Sequence, residues 1–135
     1  MRVSFALLVA SLVATPALAG DSCGPGHMRK AKAHGGVLEL RWEGKIIEQA
    51  AADIAAEFDR YKRHVSTVSL SLHSCGGSLH YAQRTIAVLE QIKATHDTAT
   101  VVDRGDLCGS ACVVVFLAGK RRVAHSQARS TSIPL

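Results

Sequence analysis

Two loops of small residues, each placed where an apolar strand pattern ends, constrain this chain more than any other feature. The first closes the run Ser69-Leu70-Ser71-Leu72-His73-Ser74-Cys75-Gly76-Gly77-Ser78. The second lies in Val101-Val102-Asp103-Arg104-Gly105-Asp106-Leu107-Cys108-Gly109-Ser110-Ala111-Cys112 and runs straight into the apolar stretch Val113-Val114-Val115-Phe116-Leu117. A strand that ends on glycine and gives way to a helical pattern is the building unit of an α/β chain.

The periodicity between the loops agrees. Val37, Leu38, Leu40 and Trp42 indicate a short strand ended by Glu43-Gly44. From Lys45 to Tyr61, Ile46, Ala50, Ile54, Phe58 and Tyr61 recur at three- and four-residue steps, which predicts an amphipathic helix. Val68, Leu70 and Leu72 alternate with Thr67, Ser69 and Ser71, as one face of a strand requires. Leu79 to Ala94 reads as a second helix with Ala82, Ile86, Leu89 and Ile92 inward, and Thr98 to Val102 as another strand. Ser110 to Ala118 predicts a short helix so apolar that burial on every side is expected, and Arg122 to Ala124 begins a last strand. The order β-α-β-α-β-α-β argues for a parallel sheet with crossover helices. Gly20 to Gly36 has no periodicity and is expected to be a flexible tether ahead of a domain at 37–135.

Residues 1–19 read as a signal peptide. Arg2 is the positive n-region, Val3 to Val13 the apolar run, and Ala17-Leu18-Ala19 the cleavage site. The apolar run is too short to span a bilayer, so an exported periplasmic or secreted protein without a stable membrane anchor is expected. The formal charge of +5 is scattered among acids, and aromatic residues make up only 4%. A base-stacking nucleic-acid surface is therefore not expected. All four cysteines, Cys23, Cys75, Cys108 and Cys112, follow the cleavage site, and an oxidising compartment favours disulfides among them. Spacing leaves the three complete pairings open. Cys23, His27 and His34 match no standard metal spacing, and neither metal nor cofactor is expected.

The two loops together resemble the ClpP/crotonase superfamily, and most closely the ClpP-like predicted periplasmic proteins, over roughly Val37 to Arg129. The resemblance implies an incomplete ClpP/crotonase-like spiral, a peptide substrate and self-association into a homo-oligomer. In the peptidase branch it places the nucleophile at Ser110 and oxyanion-hole amides at Gly77 and Ala111, with Gly76 in the adjacent turn. A plainer use of Ser110 is to cap the following helix, and of the glycines to make a tight turn. His73-Ser74-Cys75-Gly76-Gly77 stands where the family pattern reads Asn-Ser-Pro-Gly-Gly, so Cys75 replaces a proline and is expected in a disulfide.

A serine peptidase needs a histidine to accept the hydroxyl proton and an acid to orient it. The resemblance expects that histidine in a strand after Ala128-Arg129, where this chain reads Ser130-Thr131-Ser132-Ile133-Pro134-Leu135. His125 precedes that strand, and His73 and His80 flank the glycine loop as surface residues. The expectation is a C-terminally truncated chain with an incomplete catalytic set. An adjacent reading frame after Arg129 can encode Asp-Ile-His-Ser-Ala, which makes a frameshift in a longer gene the expected origin. Two other readings compete with an inactive peptidase relative. One is a non-catalytic periplasmic scaffold; the other is a thiol redox or copper-handling protein using Cys108 and Cys112.

Overall fold

A computed structural model describes residues 23–131. The signal-peptide reading, and the departure from the family pattern beyond Thr131, lie outside the described residues. Within them the chain is β1 (His27–His34), β2 (Val37–Glu43), α1 (Glu48–Tyr61), β3 (Thr67–His73), α2 (Leu79–Lys93), β4 (Asp97–Val102), β5 (Leu107–Gly109), α3 (Ala111–Leu117), β6 (Arg121–Ala124) and β7 (Arg129–Thr131).

Five strands form one sheet in the order β1-β2-β3-β4-β6. β1 pairs antiparallel to β2, and every other neighbour in this sheet is parallel. A second, two-stranded parallel sheet joins β5 to β7, with Leu107, Cys108 and Gly109 opposite Arg129, Ser130 and Thr131. The α/β architecture with a mostly parallel sheet is the one the periodicity indicates.

The alternation along β2 and β3 decides which sheet face is covered. Leu38, Leu40, Trp42, Val68, Leu70 and Leu72 are fully buried, whereas Glu39, Arg41, Glu43, Ser69, Ser71 and His73 line the other face. The helices close the apolar face with Ala50 and Ile54 of α1 and Ala82, Leu89 and Ile92 of α2. Each fully buried Leu or Val contributes roughly 1.5–3 kcal/mol. Inside this core the β4 threonines are buried with their hydroxyls satisfied. Thr100 Oγ1 donates to Phe116 O at 2.6 Å, which joins β4 to the end of α3.

Three sequence expectations need correction. The stretch expected as a tether contains β1, whose partly buried Met28, Ala31 and Ala33 face the core. Its alternation was hidden because a bulge at Arg29 shifts the register between Met28 and Lys30. The helix expected to be buried on every side has an open flank, with Leu117 53% exposed and Phe116 only partly covered. β5 was missed because three residues are too few to show a period.

Candidate active site

β3 and β5 bring the two glycine-marked loops together. The Ser74 amide donates to Leu107 O at 2.7 Å, and the Gly109 amide donates to Ser74 O at 3.0 Å, so the loops are zipped by backbone bonds. Ser74 is buried, and its Oγ donates to Gly76 O and accepts from the Gly76 amide, both at 3.1 Å. The Ile46 amide donates to Gly76 O at 2.7 Å and the Ser78 amide to Ile46 O at 3.2 Å, so the segment leading into α1 clamps the same turn.

Both glycines of the turn are required. Gly76 has φ 121° and Gly77 φ 142°, conformations that L side chains rarely adopt. A Cβ on Gly76 would sit 2.7 Å from Ser110 Cβ and 3.0 Å from Gly109 O, and one on Gly77 would sit 2.5 Å from Ile46 O. Gly76 is therefore the contact surface between the turn and Ser110. Its amide is spent on Ser74, whereas the Gly77 amide takes no part in the bridge to Ile46 and has no acceptor among the described residues.

Ser110 sits at the junction of β5 and α3 with φ 50° and ψ −124°. Positive φ is uncommon for a residue with a Cβ and costs on the order of 1–3 kcal/mol. The residue is exposed, and its hydroxyl makes no capping bond. Ser110 therefore holds the N-cap position of α3, where its carbonyl accepts from the Val113 amide at 2.9 Å, without capping the helix through its hydroxyl. A serine that spends its hydroxyl on a cap takes an extended conformation, as Ser78 does at the head of α2, with φ −76° and ψ 125° and a bond from the Tyr81 amide. Ala111 opens α3, where first-turn amides have no intrahelical acceptor.

The cysteines pair as Cys23–Cys75 and Cys108–Cys112, with Cα–Cα distances of 5.5 and 5.3 Å. Cys108 lies in a strand and Cys112 in a helix, so the pair bridges the junction instead of lying along one helical face. Cys75 is in a disulfide, as expected of it. Because Cys23 is oxidised with Cys75, it offers no thiolate to a metal.

Sequence reasoning missed a charged cluster beside the site. Arg41 donates to both Asp106 oxygens at 2.8 and 3.0 Å and to Glu43 Oε1 at 2.8 Å. The Asp106 carboxylate holds the Arg41 guanidinium above its ordinary range, and the Arg41 hydrogen bond holds the Glu43 carboxyl below its own. His73 Nδ1 accepts from the Leu107 amide at 3.0 Å and lies 3.3 Å from Asp106 Oδ1, so His73 is more than the surface residue the sequence suggested. The available signal was the polar face of the strands, but Arg41 and Asp106 are 65 residues apart and nothing local links them. A cavity of about 240 Å³ opens next to this cluster, lined by His27, Glu43, His73, Cys75, Leu107 and Arg129. His125 is engaged elsewhere, with Nε2 3.6 Å from Asp103 Oδ1. Among the described residues, which include all seven histidines, none is hydrogen-bonded to Ser110.

No family model and no curated protein matches the sequence. Solved structures match in shape. A ClpP1 mutant from Listeria monocytogenes aligns with 72% of this chain and 55% of its own at TM-score 0.59 and 15% identity. An enoyl-CoA hydratase/isomerase family member aligns with 82% and 52% at TM-score 0.60 and 13% identity. The chain has the ClpP/crotonase fold. A membrane-bound stomatin-specific protease shares it at TM-score 0.56 and 12% identity, over 71% of this chain and 44% of its own. The chain spans about half the length of these ClpP/crotonase-like structures. Within this fold, Ser110, Ala111 and Gly76 converge at one point, Gly77 packs against Ile46, and His125 lies beside Asp103.

Proposed function

We propose that Ser110 is the nucleophile position of an acyl-transfer site directed at peptide bonds, in an exported relative of ClpP-like serine peptidases. The observation that carries this reading is the conformation of Ser110: exposed, at positive φ, pressed against Gly76, with a hydroxyl spent on no cap. Strained backbone of this kind persists where the surroundings over-determine it, and a serine on a sharp strand-to-helix turn is a recurrent nucleophile geometry. Neighbours in shape include ClpP1 and a stomatin-specific protease as well as enoyl-CoA hydratases, so the choice of the peptidase branch rests on the serine at position 110. Two disulfides support an oxidising compartment, in line with the N-terminal signal pattern.

In this reading Ser110 Oγ attacks the substrate carbonyl carbon as its proton passes to solvent water, the Gly77 and Ala111 amides receive the oxyanion, and its collapse breaks the C–N bond and expels the amine, which takes a proton from water. Water is a poor base, and no histidine is bonded to Ser110 among the described residues. The 135-residue chain is thus proposed to be acylated by reactive electrophiles but to turn over peptides poorly.

The test is labelling with a fluorophosphonate probe, with the site located by mass spectrometry. Stoichiometric labelling at Ser110 that vanishes in Ser110→Ala and survives in Ser78→Ala is expected. A protein that keeps its fold but never labels at Ser110 is a scaffold, and the nucleophile reading is then wrong.

A further inference from the structure

We propose that the Cys108–Cys112 disulfide holds Ser110 in its reactive backbone conformation, which makes both cysteines positioning residues for acyl transfer. The inference rests on the reading of Ser110 as nucleophile and adds what keeps it in place.

Four residues of extended chain span about 13 Å. Cys108 and Cys112 are four apart, one in β5 and one in α3, yet their Cα atoms are 5.3 Å apart. The chain must reverse between them. Among Gly109, Ser110 and Ala111, Ser110 alone carries positive φ, so the reversal is concentrated at the nucleophile position.

Both ends of the crosslink are anchored. Cys108 is buried between Leu107, whose carbonyl accepts from the Ser74 amide, and Gly109, whose amide donates to Ser74 O. Cys112 is fully buried in the core. Between these anchors Ser110 has no side-chain hydrogen bond of its own to fix it. Gly76 blocks one direction of relaxation by contact, and the disulfide blocks the other by covalent closure.

Chain entropy is not the main purpose of so short a loop. Closing four residues removes about half as much freedom from the unfolded chain as the 52-residue loop closed by Cys23–Cys75. What Cys108–Cys112 supplies is local geometry at Ser110.

The experiment compares wild-type protein with the Cys108→Ser/Cys112→Ser double variant. The readouts are the saturating rate and half-saturation concentration of fluorophosphonate labelling, and amide hydrogen exchange at Val113, whose amide donates to Ser110 O at 2.9 Å. The variant is expected to keep the exchange protection of β3 and β4 but to lose it at Val113. Its saturating labelling rate should fall at least tenfold while the half-saturation concentration stays within twofold. A folded variant that labels at the wild-type rate overturns the proposal. If the double variant does not fold, wild type titrated with a phosphine reductant serves instead. Labelling must then fall in step with opening of Cys108–Cys112, and equal labelling of the opened species overturns the proposal. Wild type that never labels at Ser110 removes the nucleophile reading itself, an outcome distinct from a clamp that makes no difference.

Discussion

Ser110 and Gly76 face each other, and they carry opposite conformational burdens. Gly76 has the freedom its φ of 121° demands, and Ser110 holds φ 50° without that freedom. Two predictions belong here. Gly76→Ala should cost at least about 2 kcal/mol, because it adds a strained φ to a Cβ placed 2.7 Å from Ser110 Cβ. Equilibrium denaturation measures this, and a cost near zero would mean that the contact is not rigid. Ser110→Gly should be more stable than Ser110→Ala by about 1 kcal/mol, since both delete the hydroxyl but only glycine relieves the strain. Equal stability of the two would show that the backbone at 110 relaxes without effort. A gain on glycine would also fit a site where stability was given up for reactivity.

At the scale of elements, Arg41 is the tie between sheet and site. It projects from the polar face of β2 to Asp106, which precedes β5, the strand that delivers Ser110. Side chains of this pair are 23% and 13% exposed, so removing either partner leaves a partly desolvated charge. Arg41→Ala is expected to destabilise by about 2 kcal/mol and to raise hydrogen exchange at Leu107 more than in α1. Uniform loss across the chain would contradict a local tie. Glu43 makes the same network pH-dependent. Arg41's hydrogen bond lowers its pKa in the folded state, so its contribution is present above the ordinary glutamate value and is lost as pH falls through the lowered one. The stability gap between wild type and Glu43→Gln should therefore shrink as pH falls below the ordinary glutamate value and through the lowered one. A gap that widens on acidification would reverse the sign and refute the assignment.

For the whole molecule, the two disulfides act at different ranges. On a chain-entropy estimate the 52-residue loop closed by Cys23–Cys75 is worth about 4 kcal/mol and the four-residue loop about 2 kcal/mol. Cys23–Cys75 also fastens the segment leading into β1 onto the Gly76-Gly77 turn. Catalytic turnover is a property at this scale too, since it needs groups from several elements at one point. Hydrolysis of a peptide ester by the 135-residue chain should run several orders of magnitude below that of a complete serine peptidase. Robust turnover that disappears in Ser110→Ala would point to a base not hydrogen-bonded to Ser110 in this structure. Export is tested separately: N-terminal sequencing of protein recovered from the periplasm should begin at Gly20, and retention of Met1 would count against it.

What the residues alone determined is local in origin. Alternation in β2 and β3 and the three-to-four spacing in α1 and α2 are short-range patterns, so those elements and the parallel order were legible. The glycine pair and Ser110 were legible as a site only because a resemblance linked two loops over thirty residues apart. Tertiary structure alone decided the rest. β1 owes its place to pairing with β2 across a bulge that breaks its own period, and β5 owes its place to Ser74 and β7. The cysteine pairing depends on which strand ends meet, and the Arg41–Asp106–His73 cluster on side chains converging from distant parts of the chain. Sequence could not distinguish Ser110 as a cap from Ser110 as an exposed, strained hydroxyl. That difference is a backbone angle set by Gly76 on one side and the packed cysteines on the other.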